Sequence, residues 1–273
     1  MSNPVFYAAP GDLAPLTPGD SFTLGGAEGR HAATVKRLAA GEPVDMCDGA
    51  GLRLVCTVTG ADKSSLTVEV REVLHEPAAV PAFTLVQALA KGDRDELAVE
   101  TATELGIDAV FPWQAERSIV RWKMDKAVKG PEKWRAVVAA AAKQARRSSV
   151  PVVGPLLGTA GVCEQIAAAG LALILHEDAT ESVADIARSW RDAQSGQALA
   201  GTAAGEATAG NAPVPAAGGV LMIVGPEGGM SAAEVAAFTD AGARTALLGR
   251  HVLRSSTAGP AAVVLLSQEL GRW

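Results

Sequence analysis

Three short runs of almost uninterrupted apolar residues constrain this chain most: residues 84–90, 171–175 and 219–224. Each has strand length. None alternates apolar with polar, as a strand with one wet face would, so each is expected to be buried on both faces. Helical periodicity fills the intervals. Residues 93–105 place Leu97, Thr101, Ala102 and Leu105 on one face, and Gly106 ends the pattern. Residues 131–147 start with Pro131 in a first turn and align Trp134, Val137, Val138 and Ala141. Further helices are expected at 182–192, at 231–241 behind a Ser231 cap, and at 257–270, with further strands at 107–111 and 243–248. Apolar strands alternating with helices define an α/β fold, a parallel sheet covered on both faces.

The first 75 residues read differently. Segments 5–7, 52–59 and 65–73 have strand character, and Ser65 to Val70 alternates as a half-buried strand does. Asp48-Gly49 is a hairpin turn signal. One helical stretch, 31–38, interrupts the strands. A small β-barrel as accessory domain at 1–75 is the economical reading. Residues 76–82 contain two prolines and no periodicity, and serve as a linker. The α/β domain then occupies 83–273. Within it, residues 194–218 are Ala, Gly, Thr and Pro with almost no charge or bulk, read as a flexible surface insertion.

Composition narrows the class. Apolar residues make up 48% of the 273, enough for a real core. Three cysteines (Cys47, Cys56, Cys163) are too few for a disulfide framework, and no histidine lies near a cysteine pair at metal-ligand spacing, so no metal is expected. No apolar run approaches the roughly 18 residues of a membrane span, and no signal peptide precedes the first strand, so a cytoplasmic protein with no membrane partner is expected. The net charge of -6 argues against indiscriminate coating of nucleic acid. Its distribution is uneven. Residues 117–147 hold ten basic and two acidic side chains, a net +8 that leaves -14 for the rest. Such asymmetry suits a localised polyanion site, although a solvated helix face produces the same run.

Two segments stand where an open parallel sheet binds ligands, at strand-to-helix turns. Ile223-Val224-Gly225-Pro226-Glu227-Gly228-Gly229 follows one apolar run and precedes a helix. Its glycines let a ligand approach the backbone and free N–H groups to bind it, although a plain tight turn has the same composition. It matches neither the dinucleotide fingerprint nor the phosphate loop. The second segment, Leu247 to Ala258, also leads from a strand into a helix, with Arg254 just before that helix. A third loop, Leu175-His176-Glu177, follows the run at 171–175.

These segments, together with Lys91-Gly92-Asp93-Arg94, Glu104-Leu105-Gly106 and Glu116-Arg117-Ser118, resemble the RsmE family over essentially the whole chain. These are SPOUT-type methyltransferases acting on N3 of a uridine in 16S ribosomal RNA. The resemblance implies a PUA-like N-terminal barrel, a C-terminal trefoil knot, S-adenosylmethionine as cofactor, the small ribosomal subunit as partner, and a homodimer with sites at its interface. The positions that match the family's cofactor pocket are Leu175, His176, Glu177, Gly225, Gly229, Leu248, Gly249, Val252 and Leu253. Arg254 is the first candidate for stabilising a uracil anion. Glu227 is a candidate proton acceptor, or more plainly a buried carboxylate that fixes its loop. RNA contact is assigned to Arg94, Arg117, Arg146 and Arg147 in the catalytic domain and to Arg30, Lys36 and Arg37 in the barrel. His251 stands where the family has Arg, Ser256 where it has Glu, and Lys143 to Arg147 replaces a Glu-Gln-Cys/Ser-Gly-Arg pattern. The alternatives are a ribose 2′-O-methyltransferase on the same fold, and a non-catalytic RNA-binding or ribosome-assembly factor. A Rossmann enzyme lacks its early glycine fingerprint, and a serine hydrolase its G-x-S-x-G elbow.

Overall fold

The computed structural model describes residues 3–198 and 218–273. Two compact units divide the chain: Met1–Ala78 with Ala139–Val150, and Ala79–Val138 with Pro151–Trp273.

The first unit holds β1 (Val5–Tyr7), β2 (Ser21–Leu24), β3 (Pro43–Cys47), β4 (Leu52–Ala61) and β5 (Leu66–His75), hydrogen-bonded in the order β1-β3-β4-β5-β2. Only β1–β3 is parallel. The expected barrel is therefore an open five-stranded sheet by its ladder, since β1 and β2 do not pair among the described residues. Two of its strands, β2 and β3, are concealed in the sequence, and β3 has a local reason. Asp45 breaks the apolar pattern there, yet it is buried because Arg53 Nη1 donates to it at 2.8 Å. The Asp48-Gly49 turn forms as read: Asp48 Oδ1 accepts from Ala50 N and Leu52 N, which starts β4 back along β3. Between β2 and β3, α1 (Gly26–Arg30) runs directly into a π-helical turn, His31–Val35. Phe6, Leu13, Met46, Leu54 and Val68 fill the core.

Residues 139–150 pack in this unit, whereas Arg146 and Arg147 were expected in the catalytic domain. Their backbone is the reason. Tyr7 Oη donates to Arg147 O (2.8 Å), Arg53 Nη2 donates to Arg146 O (2.9 Å), and Ser148 Oγ donates to Glu76 Oε2 (2.5 Å). Burial pushes the Tyr7 hydroxyl well above its ordinary value. Burial also pulls Glu76 upward, but the hydrogen bonds from Arg53 and Ser148 outweigh it and hold the carboxyl below its usual range. Cys47 and Cys56 are buried free thiols pushed up to about 12 by desolvation.

The second unit alternates strand and helix: β6 (Phe83–Ala88), α2 (Arg94–Glu104), β7 (Ala109–Trp113), α3 (Asp125–Gln144, whose last turns belong to the first unit), β8 (Val152–Val153), α4 (Thr159–Ala168), β9 (Leu171–Leu175), α5 (Val183–Ala198), β10 (Val220–Val224), α6 (Ala232–Asp240), β11 (Arg244–Ala246) and α7 (Ser255–Glu269). The sheet order is β11-β9-β10-β6-β7-β8, and every pair is parallel. All five residues of β7 and β10 are buried, as strands covered on both faces require. One face packs Val86, Phe111, Trp113 and Ile223 against Phe238 of α6 and Val162 of α4. α7 covers the alternate positions and meets α2 and α5.

Several boundaries differ from the sequence reading. α3 begins at Asp125, six residues before Pro131, so the proline sits inside the helix and not in its first turn. The strand expected at 243–248 stops at Ala246, and Leu247 and Leu248 leave the sheet. The helix α4 and the strands β2, β3 and β8 were not read at all. The expected insertion at 194–218 lies mostly outside the described residues, and its first five residues close α5. Trp113 and Trp134 are fully buried, and Trp122 stands edge-on to Trp134 (5.6 Å between centroids). At the foot of the sheet, Arg272 donates to Asp108 (2.7 Å), Pro81 O and Gly106 O, with its guanidinium 4.2 Å over the Phe83 ring. None of the described helices is long and apolar enough to cross a membrane.

Candidate active site

The strands β11, β9 and β10 are consecutive in the sheet, so the loops at their carboxyl ends are neighbours. These are the three loops singled out in the sequence. The turn after β10 and the segment after β11 frame a groove of about 950 Å3, which Leu175, His176 and Glu177 also line. A narrower cavity of about 190 Å3 opens beside it, lined by Leu175 to Glu177 and by Leu247 to Leu253. Every residue assigned to the cofactor lines one of these two spaces: Gly225 and Gly229 the groove, Leu248 and Gly249 the cavity, and Leu175, His176, Glu177, Val252 and Leu253 both.

The turn after β10 is held rigidly. Gly229 adopts φ +71°, a left-handed conformation that disfavours any side chain. Met230 follows, and then a capping box opens α6: Ser231 Oγ accepts from Glu234 N (3.2 Å), and Ser231 N donates to Glu234 Oε2 (2.9 Å). The other carboxylate oxygen of Glu234 accepts from Glu116 N at 2.7 Å. One buried carboxylate thus ties the Glu116-Arg117-Ser118 loop to the glycine turn. Arg117 completes that contact by donating from Nη1 to Gly228 O at 3.4 Å. The sequence reading missed Glu234, although the Ser-x-x-Glu spacing signals it.

Glu227 differs from expectation. Its side chain is a quarter exposed, not buried. It does fix the loop: Oε1 accepts from Lys91 N (3.1 Å) and from Arg94 Nη1 (3.4 Å). Arg94 and Arg117 therefore both brace this turn while lining the groove. Asp95, next to Arg94, is buried and accepts from Ala90 N and Glu96 N. Desolvation raises its pKa despite those two bonds.

Arg254 is the cap residue of α7 in extended backbone, exposed and lining the groove. Behind it, Ser255 Oγ is buried with no hydrogen-bond partner, and Ser256 is buried too. His251 is exposed on the cavity rim. His176 Nδ1 accepts from Asp178 N at 3.2 Å, which fixes the ring. Lys36 and Arg37 stand exposed in the first unit, as does Arg30. No group of three potential metal ligands exists among the described residues.

The lining fits an adenosyl cofactor. Leu and Val side chains offer apolar faces, and turn backbone offers the polar groups. Gly249 gives a specific test: a Cβ there would meet no protein atom within 4 Å and would project into open space. The glycine keeps clear a volume that any side chain would occupy.

A parallel sheet with a ligand groove at three adjoining strand ends, in a chain that also carries a unit built on a five-stranded sheet, defines a two-part α/β protein of the ligand-binding kind. The chain matches the model of the RNA methyltransferase domain over residues 77–267 and that of the RNA methyltransferase PUA domain over residues 24–71, and it belongs to this family of RNA methyltransferases. It is 40% identical to ribosomal RNA small subunit methyltransferase E of Mycobacterium tuberculosis, over 98% of this chain and 93% of that protein. The Bacillus subtilis protein of the same name is 28% identical over 87% of this chain and 86% of its own length. Among solved structures, ribosomal RNA small subunit methyltransferase E from Neisseria gonorrhoeae bound to S-adenosyl methionine superposes with a TM-score of 0.73, at 25% identity, covering 98% of each chain.

Proposed function

We propose that the protein transfers a methyl group from S-adenosylmethionine to N3 of a specific uridine in the 16S RNA of the small ribosomal subunit. The observation that carries this reading is the convergence of the three loops after β9, β10 and β11 on one groove that also holds Arg94, Arg117 and Arg254. The relatives' names supply the substrate class. Bound in the cavity, the cofactor supplies an electrophilic methyl group.

The protein's own residues do the rest. The loops fix the two reactants in line, which removes much of the entropic barrier. Uracil N3 must lose its proton, which passes to solvent water at the open groove, and the resulting charge spreads to the two flanking oxygens. Arg254 stabilises that anion by donating to an oxygen. Its position is set by the first turn of α7, behind it. Glu227 holds the glycine turn, since its Oε1 is already engaged by Lys91 N and Arg94. Arg94 and Arg117 approach the RNA from the same rim, and Arg30, Lys36, Arg37, Arg146 and Arg147 contact its phosphates.

The finer architecture belongs to the same reading. A trefoil knot in the second unit is supported by two features. Leu247 is hydrogen-bonded to Glu181 and Val183, beyond the end of β9, and α7 then returns to β6 and β10. A homodimer is supported by Val252 (74% exposed) and Leu253, apolar side chains left open beside the groove. Residence in the cytoplasm follows from the substrate.

The test is to incubate the protein with labelled cofactor and small subunits lacking the modification, then identify the labelled nucleoside. A 3-methyluridine product is expected. A ribose-methylated product would move the nucleophile to oxygen and overturn the role of Arg254. Arg254→Ala should abolish turnover while cofactor affinity stays within about tenfold, roughly 1.4 kcal/mol; comparable turnover in the variant removes the assignment.

A further inference from the structure

The first unit contains a cavity that the methyl transfer does not use. Its volume is about 430 Å3. Phe6 of β1, His31 and Lys36 at the two ends of the π-helical turn, and Lys143, Gln144 and Arg146 of the 139–150 segment line it. We propose that this cavity holds one unpaired nucleotide of the RNA substrate, with its phosphate against Lys36 and Arg146 and its base against the imidazole of His31. The proposal rests on the reading of the protein as an RNA methyltransferase.

The floor of the cavity is preorganised. Lys143 Nζ sits 4.3 Å from the centroid of the Phe6 ring, donates to both carboxylate oxygens of Glu28 (2.9 and 2.7 Å), and lies 3.0 Å from His31 Nδ1. An ammonium group only donates, so Nδ1 accepts and the ring hydrogen sits on Nε2. All three ammonium hydrogens are then used, and Lys143 is a fixed support instead of a ligand for phosphate. The Phe6 ring meets His31 edge-on at 5.8 Å. Two contacts thus set the plane of an imidazole that is still partly open.

The rim is cationic and its backbone is unusual. Lys36 and Arg146 are exposed there, with Arg30 and Arg37 adjoining in sequence. Of the four non-glycine residues with positive φ among the described residues, Arg146 (58°) lines this cavity and Arg37 (56°) directly follows the lining residue Lys36. Bulky residues in that region are costly, and together with π-helical turns they concentrate where a chain shapes a binding site. The arrangement favours an unstacked nucleotide over a duplex. A duplex offers phosphates to a surface and keeps its bases stacked, whereas a cavity of this size admits a splayed base that stacks on a planar side chain. An acidic protein segment would match the charge and would leave the oriented imidazole unused.

The experiment uses the full chain and a short fluorescein-labelled single-stranded oligoribonucleotide, with the same sequence annealed to its complement as second probe. Lys36→Gln combined with Arg146→Asn (Asn tolerates the left-handed backbone) should weaken single-strand binding about tenfold and reduce the log–log salt slope by about 0.7, the value of one phosphate on a single strand. His31→Leu should weaken single-strand binding about fivefold or more, as loss of one stacked base does, and leave duplex binding unchanged. Both variants should still melt cooperatively, with His31→Leu somewhat below the parent because it gives up the Lys143 contact. Single-strand affinity equal to the parent's overturns the proposal. So does an equal loss of single-strand and duplex binding, which reduces the rim to a diffuse charged face. A polyglutamate peptide that binds the parent and not the variants, with RNA binding unchanged, reassigns the cavity to an acidic protein segment. The two levels separate: a parent that transfers no methyl group to ribosomal RNA fails the functional reading, whereas a parent that does, with pocket variants that bind RNA like it, fails this inference and the phosphate role of Lys36 and Arg146 and leaves the methyl transfer standing.

Discussion

Two loops share the groove of the second unit, and they are built on opposite plans. The turn after β10 is braced from several sides: Glu234 ties it to Glu116, Glu227 ties it to Lys91 and Arg94, and Arg117 donates to Gly228 O. The segment after β11 has anchors at its ends, Leu247 on Glu181 and Val183 and Arg254 at the start of α7. Between them, residues 250–254 are exposed. The difference teaches that a ligand site need not be rigid throughout. One wall is fixed by the fold, while the other is held at its ends alone and stands exposed between them.

The largest expected effect tests the braced wall. Glu234→Ala strands two backbone donors, Glu116 N and Ser231 N, and leaves the Ser231 cap in place, so the urea unfolding free energy should fall by about 3 kcal/mol. Unchanged stability would mean that the turn is held elsewhere. The open wall should respond in function and not in stability. Gly249→Val fills the space the glycine keeps clear. Cofactor affinity by titration calorimetry should drop about 100-fold, roughly 2.7 kcal/mol, with stability within about 0.5 kcal/mol of the parent. A large loss of stability would show that this segment also carries the fold. Glu227→Gln weakens a partly exposed ion pair and should cost less than about 1 kcal/mol in the same unfolding assay. The smallest effect concerns Asp95, which sits behind the Lys91 contact. Its pKa is raised by burial, so its charge is a penalty above the folded pKa that disappears as pH falls through it towards the ordinary aspartate value. Asp95→Asn gives up one of the two accepted backbone bonds at every pH, so its stability relative to the parent should be highest near neutrality and fall as the solution is acidified. A gap that is constant with pH would place the effect elsewhere than in ionisation.

Much of this was legible before any coordinates. The parallel sheet follows from β9 and β10, because strands buried on both faces carry no polar residue to disguise them. The three loops follow from the glycine turn and from their places after those strands. What stayed hidden has local reasons. β3 carries Asp45, buried because Arg53 and Asn3 both donate to it, and a single sequence does not display those pairings. β8 is two residues long and exists because β7 offers it a ladder. Residues 139–144 finish α3 with no sign in the sequence of a change of unit, so Arg146 and Arg147, just beyond its end, were placed with the wrong one. Glu227 looked like a buried carboxylate by its setting among glycines, but small neighbours leave a side chain open to water as readily as they enclose it.

Arg272 carries a consequence for how the molecule is made. Its contacts with Asp108 and Pro81 join residues 164 and 191 positions apart in the chain. A ribosome has already delivered β6 and β7 long before the cation that clamps their feet exists, and α7, which covers β6 and β10, arrives almost as late. The early strands must wait, with apolar faces uncovered, for partners still to be synthesised. Contacts this distant slow folding and prolong the interval in which a nascent sheet can pair wrongly. The groove is therefore among the last parts of the protein to take shape.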